Sequence, residues 1–203
     1  MCEDISLRDI PATYFDARCF HLGPLIGEVE SDIVREASRR GILTSLDVQG
    51  YCRSLDMEGL VNIGRWDGVE VLRYVKVLKS DLEEALCVSK TEEAKEAINF
   101  FWGFGVEVVL VTMGEDGSLI GCEEMIRHIP AFKPNEIVDP TGAGDAYSAA
   151  FLVEYLRSKD PVRAALFASS AASFVLEGEG VSSIPSEEDV WDRCSVQEPT
   201  GLL

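Results

Sequence analysis

The chain has 203 residues, and its 36 acidic side chains against 18 basic ones give a formal net charge of −18. A nucleic-acid partner needs clustered Lys and Arg to displace its counterions, and here the basic residues are outnumbered and scattered, which argues against that class of ligand. Hydrophobic residues make up 46% of the chain, enough for one sizeable core and too many for disorder throughout.

No stretch approaches the ~18 consecutive apolar residues of a membrane span, and Met1-Cys2-Glu3-Asp4 lacks the basic start and apolar run of a signal peptide. The expectation is a soluble, cytoplasmic protein with no membrane partner. The cysteines, at positions 2, 19, 52, 87, 122 and 194, form no C-x-x-C pair, and the only histidines are His21 and His128. These spacings argue against zinc and for reduced structural thiols. His21 and His128 have no catalytic company, and Trp66, Trp102 and Trp191 read as packing residues.

With no repeat, low-complexity tract or linker, residues 1–203 read as a single α/β domain with an irregular lead-in over 1–28. Val29 to Arg40 has helical periodicity and stops at Gly41; Ile42 to Leu46 is a short apolar strand ending at Asp47. Tyr74 to Leu78 alternates as a strand, and Ser80-Asp81-Leu82-Glu83 has the S-x-x-E form of a capping box opening the next helix. Thr91 to Trp102 is helical and broken by Gly103 and Gly105, while Val106 to Thr112 has the β-branched run of a strand buried on both faces. The turn Gly114–Gly117 leads into strands Ser118 to Cys122 and Met125 to Ile129. Helices then follow over Ala143 to Arg157, Pro161 to Leu176 and Ser186 to Arg193. This alternation with short connections predicts an α/β class, a largely parallel sheet with helices on both faces, and a ligand site at the carboxyl ends of strands.

The most informative stretch is Asp139-Pro140-Thr141-Gly142-Ala143-Gly144-Asp145 ahead of an apolar helix. Two glycines separated by one alanine permit a tight turn, and the amides of Gly142, Ala143, Gly144 and Asp145 at a helix start make an anion hole, with Thr141 at its entry. Asp145, in the first turn, is placed to hydrogen-bond a substrate hydroxyl beside a bound phosphate. The plain alternative is an ordinary βα turn with a helix-favouring acid. Competing fingerprints are absent: there is no Gly-Lys pair of a Walker A loop, and neither Gly103-x-Gly105 nor Gly178-x-Gly180 continues into a dinucleotide motif.

The D-x-T-G-A-G-D run resembles the second signature of the PfkB or ribokinase-like carbohydrate kinases. Val111-Thr112-Met113-Gly114 through Gly117 resembles that family's strand and turn bordering the ATP site. Lys79-Ser80-Asp81-Leu82-Glu83-Glu84 resembles its N-x-x-E element, with Asp81 in place of Asn. Asp47-Val48-Gln49-Gly50 through Arg53 is similar to the D-x-Q-G segment of inositol-kinase-like and archaeal members. Ala168 to Ala172 resembles the alanine-rich helix near the adenine, with Ser169 where Asn is frequent. The similarity runs from about Ala17 to Arg193.

The resemblance implies a ribokinase-like three-layer α/β/α sandwich and ATP-dependent phosphorylation of a small sugar, polyol or nucleoside. In that reading Asp145 is the catalytic base, Thr141, Gly142, Ala143 and Gly144 hold phosphate, and Thr112, Gly114, Gly117 and Ser169 border the nucleotide. Asp81 and Glu84 place Mg2+ through water. Asp139 is a candidate for a monovalent-cation site or simply shapes the turn. Lys79 and Arg53 are phosphate-contact candidates whose plain alternative is a solvated surface charge. Family members also carry a segment ahead of this chain's first residue, containing the glycine-pair signature and the lid. The expectation is therefore an N-terminally truncated kinase that binds nucleotide weakly and tends to self-associate. The alternative from another class is a non-catalytic nucleotide-binding or interaction module derived from such a kinase.

Overall fold

The computed structural model describes residues 4–64 and 66–196. The chain divides into two compact units, Met1–Val111 with Gly121–Met125, and Thr112–Ile120 with Ile126–Leu203. Its strands are β1 (Cys19–Leu22), β2 (Leu43–Asp47), β3 (Arg53–Leu55), β4 (Val61–Ile63), β5 (Val77–Asp81), β6 (Val108–Thr112), β7 (Ser118–Cys122) and β8 (Met125–Ile129). Its helices are α1 (Asp32–Arg39), α2 (Gln49–Cys52), α3 (Leu82–Ser89), α4 (Ala94–Trp102), α5 (Ala143–Ser158), α6 (Pro161–Val175) and α7 (Glu187–Val196). Hydrogen-bonded neighbours in the main sheet follow the order β1-β2-β5-β6-β7-β8, and β3 and β4 form a separate antiparallel pair. The α/β class and its parallel pairing agree with the pattern of the sequence.

In the first unit β1 and β5 flank β2, both parallel to it, with Leu22 opposite Leu46 and Asp47 opposite Lys79. The helix α1 turns Ile33, Val34 and Ala37 inward, as the i, i+1, i+4 spacing requires, and all three are at most 1% exposed. Several features differ from the sequence reading, which places no element between Asp47 and Tyr74, where α2 and the β3–β4 pair lie. The lead-in over 1–28 contains β1, whose four residues Cys-Phe-His-Leu are too short and mixed to show a period. The strand expected at 74–78 begins at Val77 and runs to Asp81, because Val69–Tyr74 is taken up by a 3-10 turn. The capping box is therefore one residue later than expected: Asp81, not Ser80, caps α3, and Glu84, not Glu83, closes it.

In the second unit α5 packs along α6. Tyr147, Phe151 and Leu152 of α5 are buried, as are Ala164, Ala165 and Ala168 of α6. Asp160 caps α6 through the amides of Val162 and Arg163 at 3.0 Å each, with Pro161 at the first helical position, where its missing N–H costs nothing. Phe167, Ala171 and Val190 join α7 to the same core. No helix among the described residues is long and apolar enough to cross a membrane. Cys19, Cys52, Cys87, Cys122 and Cys194 are free thiols, and Cys2 lies outside the described residues.

The strands β7 and β8 are joined by Glu123 and Glu124 alone, both left-handed with φ of 51° and 61°. A two-residue turn with both φ positive favours Asn-Gly, and glutamate is a poor occupant of either position. The double substitution Glu123→Asn/Glu124→Gly is expected to stabilise the chain by about 1 kcal/mol. An upward shift of the urea midpoint at unchanged slope would show it, and no shift would mean that the carboxylates offset the backbone cost.

Candidate active site

At the carboxyl ends of β2 and β5 the first unit gathers five charged side chains. Asp47 and Lys79, opposed in register, form an ion pair of 2.9 Å with only 3% and 5% of each residue exposed. Asp47 also accepts the Gln49 amide at 3.1 Å, which fixes the turn into α2 and so the direction in which the chain reaches Arg53. Lys79 is thus a buried structural charge, which corrects the surface alternative. Arg53 lies 2.6 Å from Glu84 and 3.5 Å from Asp81.

The Asp81–Glu84 pair is locked by the cap itself. Asp81 Oδ1 accepts the Glu84 amide at 2.8 Å, and Glu84 Oε2 accepts the Asp81 amide at 3.1 Å. Glu84 is completely buried. Burial raises the pKa of its carboxyl, the neighbouring Asp81 carboxylate adds to the rise, and the Asp81 amide and Arg53 oppose it. The same negative surroundings act on Cys52: burial first, then Glu84 and Asp81, push its thiol up to about 12. The expected Asp81 and Glu84 do lie side by side, and both have an identifiable structural duty as a cap.

In the second unit the T-G-A-G-D run forms the entry to α5. Gly142 is the N-cap at φ 84° with open space around it, so its need for glycine is conformational, not steric. Asp139 Oδ1 accepts the Thr141 amide at 2.9 Å, and this bond lowers the Asp139 pKa. The Ala143 amide is taken by the Pro140 carbonyl at 3.2 Å, and the Gly142 carbonyl accepts the Ala146 amide at 2.9 Å. Of the four amides expected to face outward, those of Gly142, Gly144 and Asp145 have no hydrogen bond to another described residue. Thr141 and Asp145 are exposed, and Asp145 stands in the first turn.

The expected nucleotide residues are distributed as follows. Thr112 ends β6, and Gly114 opens the exposed 3-10 turn Gly114–Asp116. Gly117 is buried, and a Cβ there would come within 2.2 Å of the Ile129 carbonyl oxygen, so this glycine is required by backbone packing. Ser169 donates its hydroxyl to the Pro130 carbonyl at 2.7 Å and is 7% exposed. Tyr147 anchors α5 to β7 by a buried 2.9 Å hydrogen bond with Ser118. His21 and His128 bind Ser45 at 3.0 Å and the Asp116 carbonyl at 2.7 Å, in keeping with structural roles.

One feature beside the turn was not read from the sequence. The amides of Val138 and Asp139 both meet the Leu176 carbonyl, at 2.7 and 3.3 Å, and Ser183 donates to the Val175 carbonyl at 3.2 Å. Two loops therefore close on the C-terminal end of α6, presenting Ile137, Val138, Val181 and Ile184 at 48–81% exposure. The signal was available as isolated apolar residues in otherwise polar loops.

The second unit thus presents, at the start of α5, a glycine turn with three amides free of described partners and an exposed first-turn carboxylate. Residues 66–189 match the pfkB family carbohydrate kinase model, and the chain belongs to that family. It is 30% identical over 152 residues to a cytidine kinase of Thermococcus kodakarensis, a match covering 74% of this chain and 52% of that protein. It is 44% identical over 94 residues to a nucleoside kinase of Methanothermobacter thermautotrophicus, covering 46% and 30%. The chain thus spans about half the length of the Thermococcus relative, and less of the other. Among solved structures, a pyrophosphate-dependent myo-inositol-1 kinase converted into a myo-inositol-3 kinase matches with a TM-score of 0.80 at 23% identity, over 96% of this chain and 68% of the other. Arabidopsis thaliana ribokinase complexed with ribose and ATP matches at 0.75 and 24%, over 95% and 60%. These two establish a ribokinase-like fold.

Proposed function

We propose that the chain carries the phosphate-donor site and catalytic base of a cytoplasmic kinase that transfers the γ-phosphoryl group of ATP to a hydroxyl of a small sugar, polyol or nucleoside. The observation that supports this most is the start of α5: three amides without a described partner, on a 16-residue helix whose macrodipole adds about +0.5 of an elementary charge. In a chain of net charge −18 this local positive end is what makes a phosphate acceptable. Asp145, beside these amides, orients and then deprotonates the acceptor hydroxyl. A weak base suffices because the transition state is loose and the nucleophile loses its proton late. The exposed rim of Ile137, Val138, Val181 and Ile184 would take the apolar face of the base. The reading extends the family's chemistry to this chain, and the five free thiols among the described residues suit a reducing compartment.

Mg2+, when bound, neutralises the donor's developing charge. Among the described residues no three His, Cys, Asp or Glu side chains converge, so Asp81 and Glu84 would hold it as a pair and through water. The buried Glu84 Oε1, which receives no aligned hydrogen bond, fits that duty. Asp139 is read as shaping the turn through Thr141 and is the candidate for a monovalent cation. Calorimetric titration with a non-hydrolysable ATP analogue tests the reading. Binding is expected in Mg2+ and should weaken by about tenfold or more in EDTA. The isosteric double variant Asp81→Asn/Glu84→Gln should lose this difference. Equal affinity of the native chain in Mg2+ and EDTA would return both carboxylates to helix capping alone.

A further inference from the structure

Arg53 and Glu84 make an ion pair that is close but incomplete. The atoms Arg53 Nη2 and Glu84 Oε1 are 2.6 Å apart, yet Oε1 receives no hydrogen bond of proper alignment, and Arg53 Nε is buried with no acceptor at all. The Glu84 side chain is 1% exposed, so bulk solvent does not reach its carboxylate. Glu84 Oε1 and Arg53 Nε are both buried without a hydrogen bond, which is costly for a carboxylate this deep even though the Arg53 side chain is 28% exposed. The other carboxylate oxygen, Oε2, is fixed by the Asp81 amide, so Glu84 cannot turn to improve its bond with Arg53. The geometry therefore favours a smaller cation than a guanidinium between Asp81 and Glu84.

We propose that Arg53 is an internal counter-ion which occupies the Asp81–Glu84 pair until a divalent cation displaces it. This rests on the reading of those two carboxylates as the metal-placing pair. The element that can respond is the hairpin that Arg53 begins. The strands β3 and β4 are three residues each and pair only with one another, and the hairpin with its turn exposes Leu55, Met57, Leu60 and Val61. Besides the Arg53 side chain, the hairpin end is held by the Gly64 amide on the Cys52 carbonyl at 2.7 Å and by a weak bond from the Cys87 thiol to the Gly64 carbonyl at 3.5 Å. So short a hairpin has little stability of its own, and losing the guanidinium contact loosens it. Metal arrival at the carboxylates and release of the hairpin are then two sides of one exchange, with the cation on Asp81 and Glu84 changing from guanidinium to metal.

The test uses the 203-residue chain and Mn2+ as the probe, with binding read by its paramagnetic resonance and hairpin opening by hydrogen exchange over residues 54–63. In Arg53→Gln the competing charge is gone while length and polarity remain, and Mn2+ affinity should rise by about tenfold or more, the scale on which a charge this close shifts a carboxylate equilibrium. Arg53→Lys should return the affinity toward that of the native chain. In the native chain Mn2+ should speed exchange in the hairpin, and in Arg53→Gln the hairpin should exchange quickly with or without metal. Circular dichroism of each variant reports whether it is folded. Equal or weaker Mn2+ binding by folded Arg53→Gln, with binding still lost in Asp81→Asn/Glu84→Gln, would overturn the counter-ion role and leave the metal pair standing. No Mn2+ binding by any form, or binding that survives loss of both carboxylates, would remove the metal pair and the exchange with it.

Discussion

Replacing Asp145 by asparagine is expected to lower phosphoryl transfer by about 10²- to 10⁴-fold, the usual range for a positioned general base. The measurement belongs on a form of the protein that turns over an acceptor. Asparagine keeps the shape and hydrogen-bonding reach of the side chain at the first turn of α5, so the amides of Gly142 and Gly144 are undisturbed and nucleotide affinity should change by no more than about threefold. The loss should therefore fall on kcat and not on the donor's KM. Asp145 is exposed and makes no described ion pair, so the substitution carries little folding cost to confuse the result. Turnover within threefold of normal would take Asp145 out of the base role and leave the α5 start as a phosphate site only.

The parts of this molecule that were legible in its sequence are those that announce themselves locally. The strands β7 and β8 and the start of α5 lie where alternation, β-branched residues and the glycine run place them. The α3 cap was misplaced by one residue because Ser80-x-x-Glu83 and Asp81-x-x-Glu84 are equally good boxes on paper. Only the register of β5, which carries the chain extended to Asp81, decides between them. The β1 strand escaped because four mixed residues have no period, and they become a strand by pairing with β2. For the site, the glycine turn proposed to bind an anion is legible because its amides are consecutive in the chain. The Asp47–Lys79 pair was not, since it joins residues 32 positions apart, and nothing local marks a lysine as buried. The Ala143 amide, expected to face a ligand, is engaged by Pro140 for a reason no composition reveals: the exact path of the turn.

That buried pair carries the second large effect. Lys79→Met leaves Asp47 with a charge, 3% exposure and only the Gln49 amide as partner, and it should destabilise the first unit by roughly 3–5 kcal/mol. Against a total of about 5–15 kcal/mol for a domain, this brings the chain near unfolding at ordinary temperature. The cost comes from the stranded carboxylate and not from the lost attraction, so it should be reversible by removing the second charge. The double variant Asp47→Asn/Lys79→Met keeps an oxygen for the Gln49 amide and buries no ion, and its stability should return to within about 1–2 kcal/mol of the native chain. Urea unfolding of the native chain, the single variants Lys79→Met and Asp47→Asn, and the double variant, read by tryptophan fluorescence, gives the coupling between the two sites directly. A cost below about 1 kcal/mol for Lys79→Met would mean that water reaches the pair as it does a surface salt bridge. Lys79 would then be free to meet a phosphate instead of holding the carboxyl ends of β2 and β5 together.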